Sequence, residues 1–142
     1  MEAVRRHSEV LGIPLRVVPL PWPCTNEEYL RRWASIWAEA GREGIEAVVF
    51  GDIHLAEIRA FREAALAGSG LAPTFPLWGR KSGELAREMI AAGVRARVTA
   101  VDESRLAREW IGRDFDLRFI DELPAEIDAC GENGEFHTLV EL

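Results

Sequence analysis

Between residues 130 and 138 the chain reads Cys-Gly-Glu-Asn-Gly-Glu-Phe-His-Thr, its densest group of chemically able side chains. Carboxylates such as Glu132 and Glu135 accept protons, or hydrogen bonds from an amine, ammonium or ribose, while Asn133 both donates and accepts. Gly131 and Gly134 permit positive φ and close approach of the backbone to a ligand. A plain Asn133-Gly134 hairpin-type turn with solvated acids accounts for part of the motif. It leaves the flanking acids, His137 and Cys130 without a task, so both readings stand. One Cys and one His make a weak metal signature, and no metal ligand is assigned. A Cys130–His137 nucleophilic pair lacks any nameable oxyanion donor or orienting acid.

A second group surrounds Gly51-Asp52. The run Ile45 to Phe50 reads as a central parallel strand buried on both faces. The helix after it carries Leu55, Ile58, Phe61 and Leu66. Gly and Asp at the carboxyl end of such a strand sit where open α/β sheets bind ligands. Asp52 reads equally well as a helix cap. Arg59, Arg62, Arg80 and Lys81 are the basic groups nearest this crevice. They form either a local anion-holding charge or a solvated helix face.

The frame that must position these groups is one domain's worth of chain, 142 residues. Lys and Arg total 17 against 24 for Asp and Glu, a formal net charge of −7, which argues against nucleic-acid binding. Two Cys are too few for a disulfide framework. No apolar run approaches the roughly 18 residues of a membrane span, and the opening residues do not show the charged-then-apolar pattern of a leader, so neither a transmembrane nor a secreted chain is expected. A cytoplasmic α/β protein is expected.

Periodicity places a helix over 2–11, an extended run over 15–18 and a stiff loop at Pro19, Pro21 and Pro23. Thr25 and Glu28 form a capping box before a helix whose stripe includes Tyr29, Trp33 and Trp37, read as core. Beyond a short extended piece over 74–78, a helix carries Leu85 and Met89. A half-exposed strand follows over 95–101, then a helix from Asp102 bearing Leu106 and Trp110. A short helix over 115–123 and a terminal strand complete the order.

Three segments carry a family resemblance: Val49-Phe50-Gly51-Asp52-Ile53, Pro76-Leu77-Trp78-Gly79-Arg80, and Cys130 to Thr138. In order and rough spacing they resemble the diphthine–ammonia ligase (diphthamide synthetase) family, most of all its bacterial branch of ATP-binding proteins. The last segment is similar to that family's G-E-G-G-E-[YF]-E-T pattern, with Asn133 in place of a Gly and His137 in place of an acid. The resemblance covers nearly the whole chain. The family's opening S-G-G-K-D-S phosphate loop has no counterpart, so the sequence reads as a fragment, a split product or a remnant.

The resemblance implies a partial PP-loop (HUP-like) parallel sheet with helices over 1–79. A smaller α/β substrate domain over 80–142 would follow it. It implies an ATP-dependent, AMP-forming amide ligase, with ATP and Mg2+ bound beside Gly51, Asp52, Trp78, Gly79 and Arg80. Glu132 and Glu135 would be catalytic, with Glu135 as the general base for ammonia attack. Asn133, Gly134, Phe136, His137 and Thr138 would contact a small-molecule or protein carboxylate. The other reading is a non-catalytic small-molecule or partner-binding domain derived from the family. No nucleic acid or membrane partner is expected, and a homodimer is one option.

Overall fold

A computed structural model describes residues 2–141. The chain is α/β and divides into two compact units. One spans Val17–Gly79; the other joins the described residues up to Arg16 with those from Arg80 onward.

In the Val17–Gly79 unit, α2 (Asn26–Arg42) precedes β1 (Ala47–Val49), α3 (Ala56–Leu66) and β2 (Ala72–Thr74). The strands pair in parallel, Ala47 opposite Ala72 and Val49 opposite Thr74, with α3 as the crossover a parallel pair requires. Thr25 caps α2, its hydroxyl accepting from the Glu28 amide at 3.2 Å. Only half of the capping box forms this way, because the Glu28 carboxylate pairs with Arg31 and Arg32. Ala40, Leu66 and Leu71 form the core, with Trp37, Val48 and Phe50 packed against it. The sequence predicts a central strand here, buried on both faces. β1 instead has one partner strand, and Val49 is 67% exposed. Nor does the run over 15–18 join a ladder.

The other unit holds α1 (Glu2–Leu11), α4 (Ser82–Ala91), β3 (Ala96–Val101), α5 (Leu117–Glu122) and β4 (Phe136–Val140). Residues up to Arg16 thus group with this unit rather than with 17–79. A ring nitrogen of His7 on α1 lies 2.8 Å from the Val140 carbonyl on β4. β3 and β4 pair antiparallel, with an irregularity between Val98 and Ala100. Ala96 and Val98 point inward as their alternation predicts. Phe119 is fully buried, its ring 5.2 Å from that of Phe136 and 5.3 Å from that of Trp110, both edge-on. Asp116 caps α5 by accepting from the Phe119 amide at 2.7 Å. The helix expected from Asp102 is absent. Asp102 Oδ1 accepts from both the amide and hydroxyl of Ser104, a local turn that competes with helix, and only a 3-10 turn forms at Arg108–Trp110.

Candidate functional site

The acidic turn lies between α5 and β4 and is built on two carboxylates. Glu135 is fully buried. Its Oε1 accepts from the Asp128 amide at 3.1 Å and from Asn133 Nδ2 at 3.0 Å; its Oε2 accepts from the Asn133 amide at 3.1 Å. Arg105 completes the set, with a guanidinium nitrogen 3.2 Å from Glu135 Oε1 and another donating to the Asn133 carbonyl at 3.2 Å. Burial alone pushes the Glu135 carboxyl upward. The Asn133 amide side chain, the backbone donors and Arg105 outweigh it and hold the pKa below its ordinary value.

Asp128 is the second anchor. Its Oδ1 accepts from the amides of Cys130 at 2.8 Å and Glu132 at 3.3 Å, and its Oδ2 from the Ser82 hydroxyl at 2.6 Å. The turn is thereby fastened to the first residue of α4. Gly131 has φ +67°, and a Cβ there would lie 2.6 Å from the Phe136 carbonyl oxygen, so this position requires glycine. Cys130 Sγ lies 3.4 Å from the Ser82 carbonyl. Burial first, then the charges of Asp128 and Glu132, push its thiol up to about 11. At neutral pH it is a thiol, neither nucleophile nor thiolate ligand.

The remaining residues of the motif divide sharply. Phe136 is buried in the core with Phe115 and Phe119, so its ring serves packing. His137 and Thr138 are exposed on β4, and Glu132 is half-buried at the turn. Asn133 and Gly134 are exposed, although the Asn133 amide is committed to Glu135. An open depression of about 490 Å³ beside the turn is lined by Ser82, Gly83, Asp128 and Asn133, among others. Among the described residues no cluster of three or more His, Cys, Asp or Glu is arranged to hold a metal ion.

Gly51, Asp52, Trp78 and Gly79 belong to the Val17–Gly79 unit, and Arg80 to the other. The Gly79 amide donates to the Ile53 carbonyl at 2.8 Å, which joins the two segments after β1 and β2. Asp52 does not cap α3, whose N-cap is Leu55. Its carboxylate Oδ2 lies 3.7 Å from Arg62 Nε and, buried, has no hydrogen-bond donor among the described residues. Arg80 pairs with Glu88 on α4. Trp33 and Trp37 stack at 4.5 Å, half-buried, with both indole N–H groups buried and unbonded.

Sequence reasoning missed Asp128, Arg105 and Ser82. Ser82 and Asp128 are 46 positions apart, and Arg105 and Asn133 are 28 apart. No local pattern links them. An acid two residues before Cys130 was the one available signal. Residues 81–141, which hold α4, both antiparallel strands, α5 and the turn, match the family model described as Diphthamide synthase C-terminal domain. No curated protein matches the chain.

Proposed function

We propose, from the match of residues 81–141 to the family model described as Diphthamide synthase C-terminal domain, that this chain serves an ATP-dependent, AMP-forming amide ligase of the diphthine–ammonia ligase type. In the first step a carboxylate oxygen of the acyl substrate attacks the α-phosphate of ATP, giving an acyl-adenylate and pyrophosphate. Ammonia then attacks the acyl carbon, AMP leaves, and a proton is lost as the amide forms. The acyl substrate is a protein or small-molecule carboxylate, with no nucleic-acid or membrane partner.

The observation that carries this reading is the division of labour inside the turn. Glu135 and Asp128 accept the hydrogen bonds that hold it, and Glu132, half-buried at the same turn, is the carboxylate we assign to orient ammonia and take the proton. Asn133, Gly134, His137 and Thr138 supply exposed polar contacts beside it. Glu135 acts as a positioning residue rather than as the base. Gly51, Asp52, Trp78 and Gly79 are the residues we assign to a nucleotide's polar edge, because the buried Asp52 Oδ2, though 3.7 Å from Arg62 Nε, has no hydrogen-bond donor among the described residues, and nothing crowds the position a Cβ on Gly51 would take. ATP with Mg2+ supplies the adenylating group when bound there. The PP-loop type of sheet is part of the same reading, as is a cytoplasmic location; among the described residues no helix is long and apolar enough to cross a membrane.

A binding domain without catalysis is the second reading, favoured by the full internal commitment of Glu135. ATP–pyrophosphate exchange and ammonia-dependent AMP release, with a diphthine-bearing protein as the first acyl substrate, separate the two. Under the ligase reading both signals appear, and Glu132→Gln lowers AMP release by roughly 10²–10⁴ with the fold intact. ATP binding without exchange refutes it.

A further inference from the structure

The carboxyl ends of β1 and β2 carry an aromatic step that meets two cations, Arg62 over Phe50 at 5.1 Å and Arg59 further along. Phe50 and Phe75, each the first residue beyond its strand, stack at 5.4 Å. Trp78 meets Phe75 edge-on at 6.2 Å. The Arg59 guanidinium lies over both Phe75 and Trp78, 4.7 Å from each ring centroid. Its Nε donates to Glu63 Oε1 at 2.8 Å. Its terminal amino groups have no protein acceptor among the described residues, and the side chain is 35% exposed.

A solvated helix face does not account for this. A surface arginine keeps its rotamer freedom unless something restrains it, and here two rings and a carboxylate restrain it together. Such restraint leaves the planar fork pre-organised and accessible, the state in which arginine holds oxyanions best. Arg62, one turn further along α3, is differently placed. It faces the Asp52 carboxylate at 3.7 Å and donates to the Tyr29 hydroxyl at 3.3 Å. Its Nε is buried beside that carboxylate, whereas the terminal amino groups of Arg59 have no protein acceptor among the described residues.

We propose that Arg59 is the oxyanion-binding residue of the Val17–Gly79 unit, receiving a phosphate-type group at the strand ends on a guanidinium clamped by Phe75 and Trp78. The assignment rests on the reading above that this unit's ligand lies at those ends. Glu63 tempers the site, because it neutralises part of the charge the anion would meet.

The test is titration of the whole 15N-labelled chain with sodium pyrophosphate, against sodium chloride at matched ionic strength. The Arg59 Nε–H and Trp78 indole N–H signals are expected to move with pyrophosphate and not with chloride. Arg59→Lys keeps the charge but loses the planar stack, and is expected to weaken the response about fivefold or more. Glu63→Gln removes the competing carboxylate and is expected to tighten it about two- to fivefold. The indole signals of Trp33 and Trp37 report whether each variant keeps its fold. Equal movement with chloride, no movement, or an unchanged response in Arg59→Lys overturns the proposal. An ATP response that Arg59→Lys leaves intact removes this assignment and keeps the nucleotide reading. A pyrophosphate response without ligase turnover does the reverse.

Discussion

Replacing Glu135 by Gln tests whether the turn's buried carboxylate holds structure or performs chemistry. Glu135 accepts three hydrogen bonds and faces Arg105, all with its side chain fully buried. Glutamine keeps one oxygen, and its NH2 group then meets an N–H donor where an acceptor stood. Losing one bond to a charged acceptor costs about 1.5–3 kcal/mol, and the stranded donor adds to it, so about 2–4 kcal/mol is expected. Arg105 contributes little to that figure because its side chain is 38% exposed. In a unit of this size the loss lowers the melting temperature by roughly 10–20 °C. Trp110, the one tryptophan beyond residue 79, reports this unit selectively by its indole NMR signal during the melt. The pH dependence supplies a second check. The Glu135 pKa lies below its ordinary 4.5, so its stabilisation is fully present above that value and is lost as pH falls through the lower, folded-state pKa. The gap between the two proteins should therefore be widest near neutrality and close in acid. A variant melting within about 2 °C of the parent, with a gap independent of pH, refutes the holding role.

Two further outcomes follow from the same turn. Gly131→Ala should lower the urea midpoint by the equivalent of about 2–4 kcal/mol, since left-handed φ and a backbone clash act together; Gly134→Ala, with φ +82° but open space, should cost about 1 kcal/mol. Cys130, with its thiol pushed up to about 11, should alkylate slowly with iodoacetamide at pH 8 and keep gaining rate beyond pH 9, as followed by peptide mass; a plateau by pH 9 contradicts the burial argument.

What could be read from the sequence was what local pattern determines. The alternation over 95–101 places Ala96 and Val98 inward, and the stripe with Leu85 places the buried face of α4. Local pattern fails where a partner is distant or absent. The apolar residues of β1 announce a central strand, yet among the described residues only β2 pairs with them, and Val49 stays open. Asp52 could be cap or ligand group until α3 proved to start at Ala56. Glu132 and Glu135 look equivalent in sequence. They separate only because Asp128, Asn133 and Arg105 converge on Glu135.

That convergence also bears on the ligand chemistry proposed for the turn. A Gly-rich loop next to a helix start invites comparison with phosphate-cradling loops, whose amides point at an anion. Here the amides are already used. Those of Cys130 and Glu132 donate to the Asp128 carboxylate, that of Asn133 to Glu135, and those of Gly131 and Gly134 to carbonyls of Asp128 and Gly131. The two acids occupy the nest from within, so an incoming phosphate would have to displace a carboxylate that folding has already placed there. At its surface the turn carries the half-buried Glu132 and the exposed Asn133, groups that accept hydrogen bonds. The proposed ligase reading places ammonia at this surface. A phosphate is better served by the clamped guanidinium of Arg59, on the other unit.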